Sequence, residues 1–160
     1  MVLPEIPGPL PVVGNPPLGF RFGVLFLVGG VAPNPLDTMF QKVSGIGSTV
    51  DTVAIEEGGQ NLYTQKVPNK IQYDNLVLER GVVVGSPLSM EFNEAMSLFK
   101  FSTSNVLVTL LDNTNIPISS WFFMKAFPVK WSVSDLDATQ NSVVIQHLEL
   151  SYQRFQTMSV

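Results

Sequence analysis

The chain has 160 residues, the size of one domain with a substantial core, yet only 14% of its residues are charged. An average protein carries about 25%, so we expect other chains to cover part of the surface. A net charge of −4 without a basic cluster argues against a nucleic-acid-binding protein. The lack of cysteine and the single histidine, His147, exclude disulfides, cysteine nucleophiles, thiolate metal ligands and metal sites with two imidazoles.

The N-terminal segment differs from the rest of the chain, because residues 1–17 hold six of the twelve prolines and one charged residue, Glu5. Proline fixes φ and lacks a backbone donor, so we predict an extended arm over 1–19, followed by one domain over 20–160. The other arm residues are too apolar for a solvated linker. We therefore expect the arm to lie on its own domain or on a neighbouring subunit.

The same segment lacks the features of a signal peptide, because no Lys or Arg precedes Arg21 and proline is frequent. The longest strongly apolar stretch, Phe22–Ala32, has 11 residues, whereas a membrane-spanning helix needs about 20. We expect a protein made in the cytoplasm, without a signal peptide and without membrane insertion as a monomer.

From Phe20 onwards apolar residues alternate with a period of two, which predicts strands. The predicted strands are 20–28, 39–44, 50–56, 71–80, 105–112, 120–132 and 142–155, with turns at 33–35, 112–115 and 135–137. In the last strand Gln146 is the polar exception on the apolar side. The pattern is typical of a mostly antiparallel β protein.

One segment has helical spacing. Ser86 followed by Pro87 is typical of an N-cap with proline at the first helical position. The apolar positions that follow form one stripe: Leu88, Phe92, Met96 and Phe99. We predict a helix over about 87–99 whose stripe packs against a sheet.

The residues that could take part in catalysis or cofactor binding do not form a known catalytic pattern. His147 lies mid-strand, and no strained nucleophile turn accompanies it. Gly45–Gly47 lacks the third glycine of a dinucleotide motif and is predicted to be a turn. Glu56 and Glu57 lie at a loop edge beside two glycines, which favours a solvated or subunit-contacting loop over acid–base catalysis. We predict no catalytic, cofactor-binding or metal-binding residue, and no enzyme.

Seven short phrases, taken in order, resemble one family. They are VSGI at 43–46, IEEGGQN at 55–61, LVLERGV at 76–82, VTLLD at 108–112, WFF with AFPVKW within 121–131, LDA at 136–138 and VIQHLEL at 144–150. Their order and spacing are similar to those of the tail tube protein of contractile-tailed phages and extracellular contractile injection systems. The resemblance covers about Phe20 to Tyr152. Phe92 stands where the family usually has Trp, and Gln146 where it usually has Glu.

This resemblance implies a mainly β fold, a two-sheet antiparallel β-barrel or sandwich with one flanking helix. It also implies a homo-hexameric ring with a continuous inner barrel, and rings that stack into a hollow tube inside a contractile sheath. The implied partners are further copies of the chain, the sheath protein, baseplate and tube-initiator proteins, and a cargo of DNA or protein in the lumen. The resemblance also implies that the protein is assembled into a phage tail or into an injection particle released from the cell. No cofactor is implied.

The resemblance further implies the residues that contact the next subunit or ring. They lie in an extended loop at about 56–69 and in the arm: Glu56, Glu57, Gly58, Gly59, Gln60, Asn61, Tyr63, Pro4, Ile6 and Pro7. The proline-rich arm is longer than the family minimum, which favours an injection-system tube over the simplest phage version.

Other functions stay open at this point. A tube-initiator ring at the baseplate, or a type VI secretion tube component, would have the same fold. A monomeric β-barrel that binds a small molecule is more remote, because it requires an internal cavity and does not explain the apolar arm.

Overall fold

A computed structural model describes residues 21–27, 38–59 and 61–159. Within these residues the chain forms nine strands and one helix: β1 (Phe22–Leu27), β2 (Lys42–Ser44), β3 (Ser48–Ile55), β4 (Gln65–Tyr73), β5 (Leu76–Gly81), α1 (Pro87–Leu98), β6 (Ser104–Leu111), β7 (Pro117–Val133), β8 (Ile145–Ser151) and β9 (Arg154–Ser159). The predicted mainly β, antiparallel fold with one helix is confirmed. The predicted arm over 1–19 and the predicted turn at 33–35 lie outside the described residues.

The strands form a seven-stranded sheet and a two-stranded sheet, and every described pair is antiparallel. In the larger sheet the order is β1-β6-β7-β8-β5-β2, and β9 also pairs with β7. β7 pairs with β9 over Ser119–Met124 and with β8 over Phe127–Val133. Between them Lys125 has a φ of 52° and donates its backbone N–H to Asn105 Oδ1 at 3.1 Å. At this irregularity β7 stops pairing with β9 and begins to pair with β8.

Strict alternation along β5, β6 and β8 places every second side chain in the core. α1 packs onto the same core, largely against β7. The apolar side chains with almost no exposure are Val24, Leu76, Leu78, Phe92, Ala95, Val106, Val108, Phe123, Ala126, Leu148 and Leu150. Full burial of one large aliphatic or aromatic side chain stabilises a fold by about 1.5–3 kcal/mol, so this cluster is the main source of stability.

The helix begins where the sequence predicts and ends one residue earlier. Ser86 Oγ accepts the N–H of Ser89 at 3.2 Å and caps the first turn. Leu88 and Phe92 are buried as predicted. The rest of the predicted stripe is wrong, because Met96 is 42% exposed and Phe99 is 85% exposed. Ala95 completes the buried face instead, and the left-handed backbone of Phe99 ends the helix.

Two predicted strands are each two strands in the structure. The segment 71–80 divides between β4 and β5, and 142–155 divides between β8 and β9. In both cases the chain turns from one pairing partner to another at a two-residue corner, Asp74–Asn75 and Tyr152–Gln153. Two consecutive polar residues, Asp74–Asn75 and Gln153–Arg154, interrupt the apolar alternation at these corners, and the predicted strands extend across both interruptions. The other predicted strands agree with β1, β2, β3, β6 and β7 to within a few residues.

A buried arginine explains the polar exception in β8. Arg80 is 1% exposed, and its Nη2 donates to Ser86 Oγ at 2.7 Å and to Ser89 Oγ at 2.9 Å. Its Nε donates to Gln146 Oε1 at 3.4 Å, and its guanidinium lies 5.3 Å from the centre of the Phe40 ring. The cluster ties the first turn of α1 to β5 and β8. Gln146 can lie on the buried side of β8 because its amide oxygen accepts a hydrogen bond from Arg80.

Gly45 lies where the chain leaves β2 for the two-stranded sheet, in the turn that the sequence predicts. Its φ is +81°, and a Cβ at this position would lie 1.9 Å from the backbone oxygen of Asn75. Both the left-handed backbone and the close approach to the β4–β5 corner require glycine.

We expect Gly45→Ala to lower the free energy of unfolding by more than about 2 kcal/mol, because the backbone must shift to remove the clash. Gly58→Ala is the matched control, since nothing lies within 4 Å of its added Cβ, and it should change stability by less than about 0.5 kcal/mol. Urea unfolding of both variants measures the difference. Equal stabilities would contradict this account of the turn.

Tyr152 lies in an aromatic cluster with Phe123, Tyr73 and Phe155, with ring centres 4.8, 5.9 and 6.2 Å away. Its hydroxyl is buried and has no hydrogen-bond partner among the described residues. Burial raises the pKa of Tyr152 to about 12, with smaller contributions from Asp74 and Tyr73. The folded protein therefore keeps this proton at a pH at which the unfolded chain, with a pKa near 10.0, loses it.

Tyr152 should therefore destabilise the fold between pH 10 and 12 and have no such effect below pH 10. We expect Tyr152→Phe to match or exceed wild-type stability at pH 7 to 9, because it removes an unpartnered buried hydroxyl. Its advantage should grow by about 2 kcal/mol as the pH rises through the 10 to 12 window. Denaturant unfolding at each pH tests this, and an advantage that is constant with pH would contradict it.

Candidate functional site

The two-stranded sheet is a β-hairpin made of β3 and β4. Its register places Val50 opposite Ile71 and Val53 opposite Val67. The register shifts between the Val50–Ile71 and Thr52–Pro68 pairs, where two residues of β4, Asn69 and Lys70, lie opposite Asp51, so the extra residue is on β4. Gln72 donates a hydrogen bond to the Asp51 carboxylate and holds this irregularity.

The two faces of the hairpin differ, because side chains alternate along β3 and each one points to the same side as its partner on β4. The apolar face holds Val50, Ala54, Pro68 and Ile71 and ends at Tyr73. The opposite face carries the polar residues Thr49, Asp51 and Gln72 near the core and the apolar residues Val53, Ile55 and Val67 towards the tip. Val50 and Ile71 are 50% and 55% exposed, so the described residues leave about half of each side chain uncovered.

The apolar face continues into the core at one end. Tyr73, the last residue of β4, places its ring 5.9 Å from Tyr152 and 5.5 Å from Phe155. An isolated two-stranded hairpin is marginally stable in water, and it also leaves backbone donors and acceptors unpaired along its edges. An anchored hairpin with an uncovered apolar face is typical of a surface that is buried on assembly.

The described contact residues predicted from the resemblance lie at the tip of this hairpin. Glu56, Glu57, Gly58, Gly59, Asn61 and Tyr63 are exposed, whereas Gln60 and the arm residues Pro4, Ile6 and Pro7 lie outside the described residues. The loop is shorter than the predicted 56–69, because β4 begins at Gln65. Their role in contacts between subunits stays a prediction.

The sequence analysis misses the first half of β4. Val67 falls in the loop at about 56–69 that the resemblance implies, whereas Ile71 falls in the predicted strand 71–80. No period-two signal spans the segment, because the extra residue between Pro68 and Ile71 puts Val67 on the face opposite to Ile71 and Tyr73.

A polar strip lies on the face of the larger sheet that points away from the core. Glu79 Oε1 lies 3.1 Å from Lys42 Nζ and 3.7 Å from His147 Nδ1, and Asn75 Nδ2 donates to Glu149 Oε1 at 2.8 Å. His147 is half-buried here, as expected of a surface or interface histidine. Within the described residues no three His, Cys, Asp or Glu side chains are placed to hold a metal ion. No described helix has the length and apolar character needed to cross a membrane.

The sequence profile of the T4-like virus tail tube protein gp19 matches residues 18–156. The chain belongs to this tail tube family. The family is the one that the sequence phrases indicated. No curated protein sequence matches the chain.

Solved structures agree with this family. A chain in the structure of the anti-feeding prophage (AFP) baseplate, 6-fold symmetrised, is 36% identical, with a TM-score of 0.84 over 91% of this tail tube protein and 97% of that chain. A chain of the AFP tube-terminating cap is 24% identical, with a TM-score of 0.81 over 97% and 99% of the two chains. A chain of the PVC sheath–tube complex, from an extracellular contractile injection system, is 23% identical, with a TM-score of 0.77 over 92% and 95%.

We expect Ile71→Asp to weaken self-association of the tail tube protein by more than about tenfold, because it places a charge on the face that we expect assembly to bury. The stability of the monomer should change by less than about 0.5 kcal/mol, since the side chain is solvent-exposed there. Gln65→Asp, an exposed position on the opposite face of the same strand, is the control. Light scattering and urea unfolding are the measurements, and equal self-association of the two variants would contradict the assignment of this surface.

Proposed function

We propose that this protein is the inner-tube subunit of a contractile injection system or phage tail, in which six copies form a ring and rings stack into a hollow conduit for a protein or DNA cargo. The observation that carries the proposal is the uncovered apolar face of the β3–β4 hairpin. A monomer gains nothing from this face, whereas a ring buries it against the next copy.

The ends of the larger sheet support the same conclusion. Among the described residues β1 pairs with β6 alone and β2 pairs with β5 alone, so both are edge strands. Edge strands promote aggregation of a monomer, but they join subunits in a ring. β1 and β2 are different surfaces, and a head-to-tail contact between different surfaces closes a ring when the rotation between copies fits.

The proposed partners follow from the comparisons. Similar chains occur in structures of a baseplate, a tube-terminating cap and a sheath–tube complex, which supports a sheath and a baseplate as neighbours of this protein. The sheath–tube complex of an extracellular contractile injection system supports a place in such a particle, and the match to the tail tube family of T4-like viruses supports a place in a phage tail. The proposed role is structural and needs neither catalysis nor specific nucleic-acid binding.

A second candidate function is the ring at the baseplate end of the tube. It is favoured by the 36% identity to a chain in the AFP baseplate structure, compared with 24% to a chain of the AFP cap structure. Both functions use the same fold. The two functions differ in the number of rings that form, because rings of a bulk tube subunit must stack on further rings of the same subunit.

Negative-stain electron microscopy of the purified protein, with its mass measured by light scattering, tests both functions. We expect six-fold rings with an open centre, and tubes of many rings for a bulk subunit. Rings that bind a baseplate but never extend would support the baseplate ring instead. A protein that stays monomeric when sheath and baseplate partners are added would contradict the proposed function.

A further inference from the structure

Three aromatic rings form an exposed patch beyond the end of α1. This aromatic patch consists of Phe99, Phe101 and Phe127. The ring centres of Phe99 and Phe101 are 5.0 Å apart and those of Phe101 and Phe127 are 6.2 Å apart, with each pair close to perpendicular. Phe99 is 85% exposed and Phe101 is 42% exposed, whereas Phe127 is half-buried and connects the patch to β7.

The most exposed ring of the aromatic patch is also held by an unusual backbone. Phe99 has a φ of 52° and a ψ of 34°, a left-handed conformation that bulky residues rarely adopt and that glycine usually provides at the end of a helix. Neither exposure nor this conformation stabilises the isolated domain. A strained residue that presents an apolar ring to water is typical of a binding surface.

The aromatic patch also carries one positive charge. Lys100 lies between Phe99 and Phe101 in the chain, is exposed, and forms no ion pair with another described residue. A matching ligand is therefore an apolar segment that packs on aromatic rings and carries an acidic side chain.

The N-terminal arm has this chemistry. Pro4-Glu5-Ile6-Pro7 has the P-x-x-P spacing of segments that dock on aromatic-lined surfaces, because the proline rings pack on aromatic side chains with little loss of entropy. Glu5 is the only charged residue before Arg21. One acidic charge within an apolar proline-rich segment complements one basic charge within an aromatic patch.

Arg21, the first described residue of the chain, and the aromatic patch lie at opposite ends of β6. The backbone oxygen of Arg21 accepts the N–H of Leu111 at 2.9 Å, so the chain enters β1 beside the last residue of β6. The aromatic patch precedes the first residue of β6, Ser104. The eight residues of β6 span about 26 Å. A head-to-tail stack of copies would therefore bring Arg21 of one copy towards the aromatic patch of the next.

We propose that residues 4–7 of one copy dock on the aromatic patch of a second copy, with Glu5 of the first paired with Lys100 of the second. This inference rests on the proposed tube function and names the surface that receives the arm. It is a contact between two different surfaces, so it repeats from copy to copy along a stack.

Crosslinking between two differently labelled full-length chains tests the proposal, since the protein has no cysteine of its own. One chain carries Leu3→Cys and the other carries Leu98→Cys, and a short bis-maleimide reagent is added after assembly. We expect crosslinked dimers from the mixture. Met90→Cys is the matched control, because Met90 is 66% exposed on the same helix but lies about 12 Å away along its axis, and it should give few dimers.

Two further variants test the chemistry of the contact. Phe99→Gly relieves the left-handed backbone, so monomer stability should stay equal or rise while the crosslink yield falls at least about tenfold. Glu5→Lys or Lys100→Glu alone should lower the yield, and the two changes on opposite chains should restore it. An unchanged yield with Phe99→Gly would overturn the role of the rings.

Other outcomes separate this inference from the proposed function. Six-fold rings in the micrographs without a Leu3–Leu98 crosslink would overturn the docking and leave the tube function intact. A chain with both cysteines that forms only an internal crosslink would show that the arm binds its own copy, which also overturns the proposal. A crosslink from Leu98→Cys to the sheath protein instead of the arm would assign the aromatic patch to the sheath. Absence of rings under all conditions would contradict both.

Discussion

One strand pairs with three others, and the rest of the fold depends on it. β7 contacts β6 and β9 through its first half and β8 through its second half, and α1 packs against the same strand. The change of partners at Lys125 requires a left-handed backbone, which an asparagine side chain from β6 stabilises. Because β7 is continuous across this point, the strands on both sides of it share one core. The positions of the hairpin, the helix and the polar strip are set relative to this strand.

The hydrophobic core of this domain is closed, but several large apolar side chains lie outside it and are exposed to solvent. The aromatic cluster at Tyr73 and Tyr152 closes the core, and from there the hairpin carries apolar side chains out into solvent. A second apolar surface is exposed beyond α1. Low overall charge and exposed apolar side chains both lower the solubility of a dispersed monomer. Both are favourable in a chain that other copies surround. The exposed apolar side chains of this fold therefore favour association with other chains.

The sequence predicted the elements that local patterns define. Alternation predicted β6, β7 and β8, and Ser86 with Pro87 located the start of the helix. The two corners were missed because each is marked only by a pair of polar residues, Asp74–Asn75 and Gln153–Arg154, inside a longer apolar pattern. β4 was assigned largely to a loop because the family resemblance implies an extended loop at about 56–69. The stripe at Met96 and Phe99 failed because the backbone of Phe99 ends the helix, and the arginine partner of Gln146 came from another strand. The family could be predicted from short sequence phrases in a fixed order. The apolar face of the hairpin could not, because it depends on the pairing register of β3 and β4.

The outer edge of β4 bears on the solubility of separate chains. Pro68 offers no backbone donor, Lys66 and Lys70 place charges along the strand, and the extra residue between Pro68 and Ile71 makes the strand irregular. Each of these features hinders pairing with a strand of another molecule. The exposed apolar face therefore lies beside an edge that is poorly suited to amyloid-like sheet growth, so contacts on this hairpin favour side chains over the backbone.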